Sequence, residues 1–289
     1  MTTRMTTSDV RSPAPVDIKT PDDNDQRFWS VTTIISALDK PALVYWSAET
    51  VALAAARAAG SLQRRIEEDG VDATVKWLAD ARYRRPQGKR SAAELGTAVH
   101  DACEQYALTG VRPTVDDEVA PFLNQFDTWL NKFQPTYLAA EVTVFSPTYG
   151  VAGTADGWLE IDGVPLIFDY KTSAKSVDKK GNPTGPYPEA ALQLAAYRHA
   201  ELAAVWQPRR YEKFRRRYYL LNEAEKQMAV TPPAAEAGIV IHITPEHCEA
   251  HIVECGPDIY EAFLFVLEAA RYQFETSKRV IGPILERSK

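Results

Sequence analysis

Between Ala140 and Tyr170 the apolar pattern alternates with a period of two, while the segments on either side repeat with helical period. Side chains alternate between faces along a strand, so this stretch is patterned to bury one face of a sheet. Ala140-Glu141-Val142-Thr143-Val144-Phe145 makes a first strand, and Gly150 falls in the turn after it. Val151 to Ile161 makes a second strand and Val164 to Tyr170 a third. Pro165 is acceptable because it sits at the start of its strand, where a missing N–H costs little.

Helices are expected around this meander. Hydroxyls at Ser30, Thr32 and Thr33 can cap a short helix from Ile34 to Leu38, and Pro41 can open a second. Val75 to Leu78 belongs to a third. Ser91 caps a helix that carries Gly96 and His100 and stops at Gly110. Asp116 to Phe133 repeats apolar residues at helical spacing. Glu189 to Val205 returns to helix, Gly238 to Thr244 and Glu249 to Val253 read as strands, and Pro257 opens a last helix. The order implies a mixed α/β fold with one central mixed sheet flanked by helices, plus a helical N-terminal region. Residues 1–27 are polar and rich in Pro, Asp and Thr, and read as a mobile tail. Residues 28–289 read as one domain, with a helical part over 28–135 and a functional core over 91–289.

Chemistry concentrates in the meander. Gly153-Thr154-Ala155-Asp156-Gly157-Trp158 is followed by Phe168-Asp169-Tyr170-Lys171-Thr172. Asp169 and Lys171 project from the same face of a strand. Two carboxylates beside a lysine suit a hard divalent ion, which binds through one or two carboxylates and keeps several waters. The lysine can orient a water and meet charge developing on phosphate oxygens. His100 and Glu104 share a helix face, as do Gln193 and Tyr197 on the later helix. Glu141 is an acid within an otherwise apolar strand.

Taken in order, Gly96-x-x-x-His100, Glu141, Gly153-x-x-Asp156, Asp169-x-Lys171 and Gln193-x-x-x-Tyr197 resemble the PD-(D/E)XK nuclease superfamily. The nearest branch is similar to the RecB-type exonucleases, including CRISPR-associated exonucleases and small phage-encoded relatives. Ser30 to Thr33 and Lys40 to Leu43 also resemble the N-terminal helices of phage members. The resemblance implies a restriction-endonuclease-like core and a DNase dependent on Mg²⁺ or Mn²⁺, with one or two ions bound. Asp156 and Asp169 would be the principal ligands, His100 and the Tyr170 carbonyl further ones, and Lys171 the catalytic lysine. Glu141 would support the site, and Gln193 and Tyr197 would orient Lys171 or the scissile phosphate. The expected activity is exonucleolytic, in recombination, repair or replication. A structure-specific or restriction-like endonuclease and a silent DNA-binding subunit are the alternatives.

Members with an iron–sulfur cluster use four cysteines. This chain has three, Cys103, Cys248 and Cys255, so no cluster is expected. So few scattered cysteines fit a reducing cytoplasm. No Gly-x-x-x-x-Gly-Lys-Ser/Thr motif is present, so no ATP is expected. His242, His247, Cys248, His251 and Cys255 are rich in ligand types but lack zinc spacing. No apolar run approaches the roughly 18 residues of a membrane span. The implied partners are DNA and a recombination or single-strand-annealing protein, with self-assembly left open. Net charge is −6, so DNA would have to meet local basic segments. Candidates are the loop from Arg82 to Arg90, then Lys175, Lys179 and Lys180, then Arg209, Arg210, Arg215, Arg216 and Arg217.

Overall fold

The structure is a computed structural model that describes residues 3–4, 14–83, 90–178, 181–214 and 216–284. The N-terminal elements are strands β1 (Thr3–Arg4), β2 (Val16–Asp17) and β3 (Gln26–Ser30), then helix α1 (Val31–Ile35). Helices α2 (Pro41–Arg57), α3 (Ala59–Asp69), α4 (Val71–Ala79), α5 (Ala92–Thr109) and α6 (Ala120–Phe133) follow. The meander is β4 (Thr136–Ser146), β5 (Val151–Ile161) and β6 (Val164–Thr172). Next come α7 (Glu189–Arg198), β7 (Leu202–Ala203), β8 (Arg209–Lys213), β9 (Arg216–Leu221), α8 (Glu223–Met228) and β10 (Val230–Thr231). The chain closes with β11 (Ala237–Ile243), β12 (Cys248–Val253) and α9 (Pro257–Phe274).

The architecture is mixed α/β, with one sheet of parallel and antiparallel strands. β4, β5 and β6 pair antiparallel in sequence, as adjacent hairpins should. β11 lies parallel to β6, which requires a crossover; α7 is part of that connection. β12 then closes antiparallel on β11. β5 also carries a second arm of the sheet, because its first residues pair with β3, which leads to β9, β8 and β2.

Alternation assigns the faces. Phe168 and Tyr170 of β6, and Ile239, Ile241 and Ile243 of β11, pack into one core with Val99 and Cys103 of α5 and with Leu123, Phe126 and Trp129 of α6. Asp169 and Lys171 therefore face the opposite side, that of α7, where Gly238 lies against Leu194. No helix among the described residues is long and apolar enough to cross a membrane.

Contacts divide the chain into two compact units, one of Met1–Ala37 and Glu94–Lys289, the other of Leu38–Ala93. The first holds the sheet and its cores. The second is helical, and in α3 no residue is buried.

Three local expectations are corrected. The first helix starts at Val31 rather than Ile34, and no side-chain hydrogen bond caps it; Ser30 Oγ meets Thr32 Oγ1 instead. The helix expected to run to Val205 stops at Arg198, because Leu202–Ala203 is captured as a short strand between β4, through Val144 and Phe145, and β10. The mobile tail expected over 1–27 is held in part: Val16–Asp17 pairs with Arg209–Arg210, and Asp25 is buried against Arg209.

Candidate metal centre

The site forms where β5 and β6 part. Their ladder runs from Val164 and Ile161 to the Gly157–Phe168 pair. One residue further, the Asp156 side chain takes over from the backbone: Tyr170 N–H donates to Asp156 Oδ2 at 2.6 Å. On the other side, β4 pairs Ala140 with Gly157 and Val142 with Ala155, so Glu141 stands opposite Asp156. Glu141 holds a left-handed φ of 49°, a conformation that costs a non-glycine residue energy and turns its side chain out of the regular pleat. From α5, His100 Nε2 comes within 3.3 Å of Asp156 Oδ2 and 3.4 Å of Glu141 Oε1. One ligand atom from each of His100, Glu141 and Asp156 lies within 4.8 Å of the others, so the three could hold a metal ion. His100 also groups with Asp101 and Glu104 along its own helix.

The glycines of the motifs have steric reasons. A Cβ at Gly157 would stand 2.2 Å from the Ala139 carbonyl oxygen, so only glycine lets β4 approach there. A Cβ at Gly153 would stand 2.6 Å from the Tyr197 ring, which is itself buried. Gly96 brings α5 against the end of β6, where a Cβ would stand 3.1 Å from Thr172 Oγ1.

Asp169 stands beside this cluster. It is 2% exposed and ion-paired with the partly exposed ammonium of Lys171. Gln193 Nε2 of α7 donates to its other oxygen at 3.0 Å. Among the described residues Asp169 is not one of the three clustered ligands, although the sequence reading gave it a principal ligand role. Tyr170 contributes its N–H to Asp156, while its ring packs edge-on against His100.

The electrostatics follow from this packing. Burial works against a charged His100, yet the Asp156 and Glu141 carboxylates overcome it and raise its pKa to about 10. Burial pushes Asp156 upward, but His100 and Lys171 outweigh it and hold the carboxyl below its usual range. Burial and the Asp156 charge push Asp169 up to about 6 despite Lys171. One set of residues was not foreseen as a unit. Thr154 Oγ1 lies 2.9 Å from Thr143 Oγ1 and 3.1 Å from the Tyr219 hydroxyl. The signal was present, since Thr154 is two residues from Asp156 and shares its face.

The basic segments differ in their surroundings. Arg209 is engaged with Asp25 and Glu225, and Arg210 with Asp17. Arg216 donates to the Phe274 carbonyl and stacks on its ring. All three are held by partners within the fold, and Arg210 also lines an open pocket with Lys19 and Arg217. Lys175 and Arg217 are exposed. Lys179, Lys180, Arg215 and residues 84–89 of the early basic loop lie outside the described residues.

No family model matches this chain, and no curated protein matches it. The crystal structure of SSO0001 aligns over 89% of this chain and 80% of its own, at 13% identity and a TM-score of 0.35. At that level the likeness carries no argument about fold or function.

Proposed function

We propose that this chain is a divalent-metal-dependent DNase, an exonuclease working at DNA ends. The observation that carries the reading is the convergence of His100, Glu141 and Asp156 beside the Asp169–Lys171 pair. Residues separated by up to about a hundred positions in sequence meet in the order that the superfamily resemblance requires. The donor set fits the expected ion: two carboxylates suit Mg²⁺ or Mn²⁺, and the imidazole makes Mn²⁺ at least as good a match. When bound, such an ion supplies Lewis-acid charge stabilisation and a more acidic water. The chain's own residues then have separate tasks. Gln193 and Asp169 hold the Lys171 ammonium in place, and its partial exposure lets it reach a phosphate oxygen. Tyr197 packs behind β5 and keeps that strand at its distance from α7.

The test uses end-labelled linear DNA and covalently closed circular DNA, with Mg²⁺, Mn²⁺ or chelator. The proposal expects linear DNA to be degraded from its ends with either ion, the circle to survive, and chelator to stop the reaction. Cutting of the closed circle would make the enzyme an endonuclease. A folded protein that cleaves neither substrate would overturn the reading.

A further inference from the structure

We infer that His242, His247 and His251, together with Glu249, form a second metal site, for a borderline transition ion of the Zn²⁺ class. The set shares no residue with the His100 centre and stands independently of the nuclease reading.

The ladder brings these residues to one face. His242 of β11 pairs with Glu249 of β12, and Val240 pairs with His251. Glu249 and His251 alternate along one side of the returning strand, the side that carries His242, and His247 lies in the turn just before that strand. The rings bear this out: His247 lies 6.2 Å and His251 6.1 Å from His242 between centroids. Glu249 Oε2 lies 3.8 Å from His251 Nε2. Three imidazoles and a carboxylate are a donor set for zinc-class ions, whereas Mg²⁺ prefers oxygen alone.

His242 is the fixed member. It is 1% exposed, and its Nε2 is 2.8 Å from Ser173 Oγ. Its other nitrogen, Nδ1, is buried without a hydrogen-bond partner. With Nε2 as donor to Ser173 Oγ, Nδ1 would carry the unengaged lone pair that a metal ligand needs. Burial and the two neighbouring histidines also lower its pKa. No three donor atoms of this set lie within 4.8 Å of one another, so the side chains must turn inward to close a coordination sphere. His251 and Glu249 have side chains 38% and 59% exposed, so they have room to rotate toward His242. Sequence spacing hid the set, because its members are adjacent only through strand pairing.

The experiment titrates Zn²⁺ into full-length protein carrying Glu141→Gln and Asp156→Asn, which disable the first centre. Expected are one tight equivalent of Zn²⁺ and, with Co²⁺ in its place, the strong visible d–d bands of four-coordinate cobalt. Adding His251→Ala or His247→Ala should remove those bands. It should weaken Zn²⁺ binding by more than the roughly 10- to 100-fold that loss of an outer partner costs. Both positions are partly exposed, so circular dichroism of these variants should match the parent. Equal Zn²⁺ uptake with and without His247 and His251, or no uptake by the parent, would overturn the site.

Discussion

In the β8–β9 hairpin, Arg209 is gripped on both sides, by the fork of Asp25 and by Glu225. At the parting of β5 and β6, two carboxylates and an imidazole crowd together from three separate elements. Both regions are dense in charge. In the first, opposite charges match, and the result is a clamp between the N-terminal strands and the sheet. In the second, carboxylates are pressed toward each other, and pKa values are driven apart: His100 up to about 10, Asp169 up to about 6, Asp156 down. Groups pushed apart in this way mark functional sites more often than groups in matched pairs. The count of charges in a segment therefore says little until their partners are known.

Substitutions can break this contrast most directly. Asp169→Ala and Lys171→Ala should each lower cleavage by about 10³-fold or more while the protein stays folded. Arg209→Ala should leave the rate constant within a few-fold wherever the protein is folded. Single-turnover kinetics on end-labelled DNA will decide it; a Lys171→Ala protein that cleaves at the wild-type rate would remove the chemistry from this site.

Stability should respond the other way round. Arg209→Ala leaves two largely buried carboxylates without their cation, at a cost of about 3 kcal/mol. Urea denaturation of the variant should show a lower midpoint with little change in slope. An unchanged midpoint would mean that the hairpin is held by its strand pairing alone.

The pH response sharpens the contrast further. A raised histidine pKa stabilises the ion-free fold fully below about pH 6.5, and this contribution is lost as pH rises through about 10. An ion needs the imidazole neutral, so Mn²⁺ binding near pH 7.5 should release close to one proton. Apparent affinity should climb about tenfold per pH unit between pH 7 and 9. Calorimetry in two buffers of different ionisation enthalpy measures the release. Identical heats in both would place His100 outside the coordination shell.

The smallest effect is expected at the hairpin's rim. Asp17 is mostly exposed, so Arg210→Ala should cost at most about 1 kcal/mol and lose even that in high salt.

The two regions also differ in how far the sequence could be read. Strands β4 to β6 and helix α5 announce themselves by local signals: alternation, Gly150 in a turn, and Gly110 at a helix end. The site residues followed, because His100, Asp156, Asp169, Lys171 and Gln193 sit in short spaced motifs. The glycines of those motifs turn out to be clearance for Tyr197 and for β4. The hairpin was opaque for the opposite reason. Arg209 meets Asp25 across 184 positions, and no local pattern reports a partner at that separation. Leu202–Ala203 was lost to helix periodicity for the same cause, since only pairing with β4 and β10 makes it a strand. The difference in partners between Asp156 and Asp169 was equally hidden. It depends on the left-handed turn at Glu141 and on Gln193 reaching across from α7.

The hydrogen bond from Tyr170 N–H to Asp156 gives the protein its own spectroscopic gauge. An amide proton held by a carboxylate resonates far downfield, and its position follows the electron density on that oxygen. Any cation drawing on Asp156 withdraws some of that density. The Tyr170 amide should then shift upfield and exchange faster with solvent deuterium, while the neighbouring Phe168 amide, held within the regular β5–β6 pairing, stays where it was. A single cross-peak in a nitrogen-15 spectrum would thus report occupancy of the centre, without substrate and without turnover.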